Sequence, residues 1–225
     1  MRSFLRPTAI KLIFLVEWTL FLAIQALRGE LASAHQILVA SYPLLFFYLV
    51  GCVLAALSHR TPRLASGAKL WGLAALLTAT DQAVKAAVVA WIPYRQSAPI
   101  IQGWLHLAHA RNAQGSWVLS AANVRAGPAL LMAIVAIILL VSIPSHRNYL
   151  RRYRQSVWAD TAFLGVTAGC ASWICDMAYR RHIVDYIALP GVVTADLKDI
   201  LLAIGVAALF TETVDNPALS PRGRV

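Results

Sequence analysis

Six apolar stretches, roughly residues 12–27, 37–57, 70–92, 128–144, 157–175 and 194–211, constrain this chain more than any other feature. Most approach the ~20 residues that an α-helix needs to cross a bilayer. Backbone amides have no water to bond in the bilayer core, and a continuous apolar run satisfies them internally as a helix. The expected fold is therefore an all-α integral membrane protein of about six transmembrane helices. With 59% hydrophobic and 13% charged residues among 225, a soluble globular domain is excluded.

The net charge of +10 does not point to nucleic acid, because the basic residues sort by loop. Arg2, Arg6 and Lys11 precede the first stretch. Arg60, Arg63 and Lys69 follow the second, Arg147, Arg151, Arg152 and Arg154 the fourth, and Arg222 and Arg224 end the chain. With six crossings these four places share one side, which the positive-inside rule makes cytoplasmic. The other side holds Arg28, Arg95, Arg111, Arg125, Arg180 and Arg181, half as many. "HRNYLRRYR" then reads as a juxtamembrane cluster facing anionic lipid.

Several local features carry no function. Cys52, Cys170 and Cys175 lie in apolar stretches without metal-ligand spacing and read as small buried hydrophobes. Leu49, Val50, Gly51 and Cys52 resemble a lipobox by chance, since a full apolar stretch precedes them. "ASA" at 32–34 could end a signal peptide, but Glu17 and Trp18 interrupt its apolar region. The polar linker "SHRTPRLASGAK" sets the first two stretches apart as an appendage, in which Glu17 is the one residue that suggests chemistry.

The remaining charges concentrate. Asp81 and Lys85 lie one helical turn apart and can pair on one face, orienting the third helix. The loop 93–127, long enough for strands or an amphipathic piece, carries His106 and His109 without a third ligand at sensible spacing, so no metal is expected. Asp176, Asp185 and Asp196 all fall at the outer interface, where the fifth stretch ends and the sixth begins. Two carboxyls held close in a partly dry site cannot both ionise easily, and one then keeps a proton while the other acts as base. The alternative is that these aspartates cap helix ends or pair with Arg180, Arg181 and Lys198.

Laid out in order, these residues resemble lipoprotein signal peptidase (signal peptidase II), a four-helix membrane aspartic protease family of bacteria, over about residues 70–210. The family's Asp-Gln-x-x-Lys matches Asp81, Gln82 and Lys85, and its Arg-Asn before a small-residue and aromatic run matches Arg111, Asn112, Gly115, Ser116 and Trp117. Gly-Asn-x-x-Asp-Arg survives as Ser172, Trp173 and Asp176, with Met177 in place of the arginine. Val-Asp-Phe matches Val184, Asp185 and Tyr186, and Asn-x-Ala-Asp matches Val193, Thr194, Ala195 and Asp196.

The resemblance implies that Asp185 and Asp196 are the catalytic pair, that Asn112 and Gly115 hold the substrate backbone, and that Asp81, Lys85, Arg111 and Asp176 support the site. The implied reaction is metal-free and cofactor-free hydrolysis of the peptide bond before a diacylglyceryl-modified cysteine in a prolipoprotein. The implied location is the extracytoplasmic side of the bacterial inner membrane, and membrane lipid is the other expected partner. A monomer is expected.

The resemblance divides the chain into a two-helix extension (1–68), a catalytic domain (69–213) and a cytoplasmic tail (214–225). Trp173, Val193 and Met177 depart from the family pattern, the segment between Asp185 and Asp196 is short, and Lys198 and Asp199 are unusual at the head of the sixth stretch. Two other functions stay open: a non-cleaving homologue that binds lipidated peptides or membrane partners, and an unrelated six-helix transporter or scaffold.

Overall fold

The computed structural model describes residues 4–112 and 127–219. Among the described residues six long helices form: α1 (Ala9–Leu27), α2 (Ala34–Ser58), α3 (Gly67–Trp91), α4 (Pro128–Arg152), α5 (Val157–Tyr179) and α6 (Leu197–Asp215). Five of them, α1 to α5, are long and apolar enough to cross a membrane. The sixth, α6, carries Lys198, Asp199 and Glu212 within its 19 residues, so its apolar middle is bounded by charge at both ends. The protein is thus a mostly helical membrane protein, as the apolar runs predict, with a small sheet added.

Local chemistry sets the helix starts. Ser33 caps α2 in a box with Gln36, each side chain bonded to the other residue's backbone. The Ser156 hydroxyl accepts from Trp158 and Ala159 at the head of α5. Asp196 caps α6 in a box with Asp199. In α4 no residue is fully buried within the chain: one face packs on α5 through His146 and on α6 through Tyr149, and the apolar remainder is left to lipid.

The core lies among α1, α2, α5 and α6, where Phe14, Phe47, Trp158, Ala207 and Ala208 pack together. The first two helices therefore share a core with the last two. Helices α5 and α6 approach most closely at Gly165 and Gly205. A Cβ on Gly165 would come within 2.3 Å of the Leu201 carbonyl oxygen, so only glycine lets the backbones meet there. At the opposite end from the sheet, buried Asp160 of α5 accepts from Arg63 at 2.8 and 3.1 Å and from the Leu64 amide at 3.0 Å. His146 of α4 lies 2.9 Å from the same carboxylate, so the polar linker after α2 is tied into the bundle.

Four antiparallel strands cap the other end in the order β1 (Ser97–Ile101), β2 (Leu105–Asn112), β3 (Ile183–Leu189), β4 (Val193–Ala195). The loop after α3 thus supplies two strands. Residues 194–195, expected within the sixth apolar stretch, belong instead to β4, and the helix begins at Leu197. The side chain of Asp196 accepts from the Asp199 amide at 3.1 Å and starts the helix where the strand stops.

The head of α2 holds both hairpin turns. His35 Nε2 is 2.9 Å from the Gly103 carbonyl, and Gln36 Nε2 donates to the Gly191 carbonyl at 3.2 Å. Both glycines have positive φ, +77° and +72°, a conformation that side chains rarely adopt.

Candidate active site

Five carboxylates and three cations meet where α3, α5, α6 and the sheet converge. Lys85 is the hub. Its Nζ lies 2.6 Å from Asp81, 2.5 Å from Asp176 and 2.6 Å from Asp196, and all four side chains are wholly buried. The i,i+4 pair expected on α3 is present, and it extends to two further elements. Three carboxylates within 4.8 Å of one another have metal-ligand spacing. Here an ammonium sits among them and supplies the positive charge.

Each acid has other partners. Asp81 accepts from Tyr186 Oη at 2.9 Å and from the Ser172 hydroxyl. Asp176 accepts from Gln82 at 3.1 Å and from Arg180 at 3.0 Å. The Arg180 guanidinium also donates to Gln82 Oε1 at 2.6 Å. Arg180 stands one turn beyond Asp176, at the end of α5, and reaches back to it, so a guanidinium serves Asp176 although position 177 is methionine.

Asp185 and Asp196 face each other from β3 and the head of α6, and with Asp199 their carboxylate oxygens lie within 4.8 Å of one another. Asp185 is 4% exposed, and its Oδ1 makes no hydrogen bond among the described residues. Burial pushes its carboxyl up to about 7; the Asp196 and Asp199 charges reinforce the rise, while Lys198 and a hydrogen bond from Asn112 oppose it. The neutral carboxylic acid is therefore accessible to Asp185 near neutral pH.

Asp196 is in the opposite situation. It contacts Lys85, and Lys198 Nζ lies 2.8 Å from Oδ2 and 2.9 Å from Oδ1. Two ammonium groups stabilise its ionised form. Lys198 is 1% exposed and also reaches Asp199 at 2.9 Å, so one cation is divided between two acids. The capping and pairing roles that the sequence allowed for these aspartates are thus occupied alongside the dyad geometry: Asp196 caps α6, Arg180 pairs with Asp176, and Lys198 pairs with Asp196 and Asp199.

Asn112 ends β2 opposite Ile183, two residues from the Ala110–Asp185 pairing, which puts its amide beside the Asp185 carboxyl. Arg111 is exposed, and its guanidinium lies 4.5 Å over the Tyr94 ring. Gly115, Ser116 and Trp117 lie outside the described residues. His106 bonds Ser97 and His109 bonds the Ile92 carbonyl, and no metal-competent group among the described residues includes either histidine.

Sequence reasoning gave Tyr186 no role beyond its match to a family phenylalanine. Its hydroxyl accepts from the Leu197 amide at 3.2 Å as well as donating to Asp81, and so joins α3, β3 and α6. The available signal was a hydroxyl next to Asp185 where phenylalanine was expected.

The described residues thus form a polytopic membrane bundle with a buried carboxylate cluster under a small sheet. Residues 73–214 match the family described as Signal peptidase (SPase) II, and the chain belongs to that family, a family of aspartic proteases. Two solved structures, each described as a bacterial membrane enzyme, share the fold. One has a TM-score of 0.59 at 17% identity over 70% of this chain and 94% of its own. The other has a TM-score of 0.51 at 18% identity over 64% of this chain and 90% of its own. No curated protein matches the chain. Helices α1 and α2 precede the family match.

Proposed function

We propose that the protein is an aspartic endopeptidase of the bacterial inner membrane that removes the signal peptide from diacylglyceryl-modified prolipoproteins. The observation that carries this reading is the approach of Asp185 and Asp196 within 4.8 Å, one with an oxygen that has no partner among the described residues and the other held between two lysines. In a member of an aspartic protease family, that asymmetry separates an acid from a base.

Asp196, ionised, takes a proton from a water lying between the two carboxyls as the water oxygen bonds to the scissile carbonyl carbon. Asp185 gives its proton to the carbonyl oxygen, forming a neutral gem-diol. The carbon–nitrogen bond then breaks as Asp196 passes its proton to the leaving amine, and the diol hydroxyl returns a proton to Asp185. Asn112, bonded to Asp185, orients that carboxyl and lies at the end of β2, where a substrate backbone can be held; Gly115 belongs to the same run. Asp81, Lys85 and Asp176 fix Asp196 from behind, and Arg111 acts at the rim, stacked on Tyr94. Residues 1–68 serve as an extension, 69–213 as the catalytic unit and 214–225 as a cytoplasmic tail. The site faces the extracytoplasmic side, and the working form is a monomer.

Purified protein in detergent or lipid should cut a diacylglyceryl-modified prolipoprotein before its cysteine and spare the unmodified peptide. EDTA should have no effect, and its abolishing cleavage would overturn the metal-free mechanism. One observation favours a second reading. A carboxylate paired with two lysines is a weakened base, and a homologue that binds lipidated peptides without cutting would tolerate such pairing. Binding of the modified substrate without product, over the full pH range, would identify that case.

A further inference from the structure

Glu17 is the one acid of the N-terminal extension that faces the bundle interior, and nothing in the mechanism above uses it. It lines a cavity of about 50 Å³ together with Phe14, Trp18, Phe47, Val193 and Asp199. Its Oε2 is buried and makes no hydrogen bond among the described residues. A polar oxygen in such a place needs a proton or a water to satisfy it, and the cavity has room for about one or two waters. Trp18, the next residue, is pinned by its indole N–H to the Ala40 carbonyl at 2.7 Å, which fixes this part of α1 against α2.

Among the described residues lining the cavity, Asp199 is the other titratable group. Helix α2 contributes Phe47, β4 contributes Val193 and Ala195, and α6 contributes Asp199 with Ile200 and Ala203. Behind Asp199 stands Lys198, which is shared with Asp196.

We propose that Glu17 is a positioning residue of the aspartate site: across the cavity it shares with Asp199, it governs how Lys198 is divided between Asp199 and Asp196. The proposal rests on the reading of Asp196 as the general base. Two carboxyls around one small, mostly apolar cavity do not both ionise readily. When Glu17 carries the charge, Asp199 keeps a proton and Lys198 turns wholly to Asp196, holding it as a weak base. When Glu17 is neutral, Asp199 ionises and draws Lys198 away, and Asp196 becomes more basic. The extension thereby sets the working state of a catalytic pair to which it contributes no reacting atom.

The test is a comparison of pH–rate profiles for prolipoprotein cleavage by the full-length protein. Glu17→Gln leaves Asp199 ionised, so the acid limb should move to higher pH by about one unit. Asp199→Asn gives Lys198 to Asp196, so the limb should move to lower pH. Adding Glu17→Gln to Asp199→Asn should shift it no further, and Glu17→Asp should keep the parental profile. A Glu17 that merely packs would change the rate without moving the limb, and equal shifts with and without Asp199 would refute the coupling.

A second measurement does not require cleavage. Dicyclohexylcarbodiimide modifies protonated carboxyls in apolar surroundings, and peptide mass spectrometry can follow its addition at Glu17 as pH is varied. Asp199→Asn should let Glu17 ionise more readily, so labelling should be lost at lower pH than in the parent. Absent labelling at every pH, or labelling indifferent to Asp199, would overturn the proposal even in a chain that cuts nothing. A shift in labelling without any cleavage would instead uphold the coupling and reject the protease reading.

Discussion

Replacing Lys85 with methionine removes the hub cation while nearly preserving its volume, and it measures how the cluster is held. Three carboxylates lie 2.5–2.6 Å from that ammonium. Breaking a buried ion pair by deleting one partner costs about 3–5 kcal/mol, because the remaining charge is left uncompensated. The three acids do not lose equally. Asp196 keeps Lys198, and Asp176 keeps Arg180 and Gln82. Among the described residues Asp81 keeps only the hydroxyls of Tyr186 and Ser172. Thermal unfolding in detergent should show Lys85→Met melting roughly 6–20 °C below the parent, at about 2–4 °C per kcal/mol for a chain of this size. Adding Asp81→Asn should recover more of the loss than adding Asp176→Asn or Asp196→Asn. A coupling of about 1–3 kcal/mol in that cycle is expected for groups in direct contact. If Lys85→Met melted with the parent, or if the three double variants recovered equally, Lys85 would not be the hub.

If Asp185 and Asp196 act as a unit, Asp185→Asn and Asp196→Asn should each lower cleavage on the order of a thousandfold or more, with the double variant hardly worse; additive losses would reject the dyad. The raised Asp185 carboxyl gives a stability prediction of definite sign. Its folded value of about 7 lies above the ordinary carboxylate value, so its contribution is full below pH about 4 and falls as pH rises to about 7, by about 4 kcal/mol in all. Asp185→Asn should flatten that slope in chemical or thermal unfolding measured against pH. Single cysteines at positions 100, 150 and 188 should be labelled by an impermeant thiol reagent from the outside, inside and outside respectively; a cytoplasmic position 188 would remove the site from its proposed side.

The helices were legible because a bilayer-length apolar run has few other ways to satisfy its backbone, and the Asp81–Lys85 pair because i,i+4 spacing is local. The strand β4 was hidden. Its three residues, Val193, Thr194 and Ala195, continue the apolar character of α6, and only the cap at Asp196 separates the two elements. The convergence of Asp176 and Asp196 on Lys85 was hidden too, since their contacts span 91 and 111 positions of chain and no periodicity reports them. Lys198 stood out as an odd charge at a helix head. Its simultaneous hold on Asp196 and Asp199 depends on the first turn of α6, where a capping box brings both acids to one ammonium.

The departures from the family pattern look like missing parts only when each position is judged alone. Met177 leaves no guanidinium next to Asp176, yet Arg180 reaches the same carboxylate from one turn further along α5. Ser172 and Gln82 bond each other at 2.9 Å and bond Asp81 and Asp176 respectively, beside a position where Trp173 carries no amide. Val193 offers no polar group at the start of β4, and the cavity it lines receives a carboxyl from α1 instead. In each case the chemistry returns from a different residue or element. A buried carboxylate strongly penalises the loss of its partners and is indifferent to which part of the chain provides the replacement. On that argument a motif position can be replaced where a neighbouring element reaches the same place, and α1 brings Glu17 to the cavity that Val193 lines. Removing residues 1–68 should then cost this chain its site geometry, measurable as loss of the Asp185-dependent slope in stability against pH.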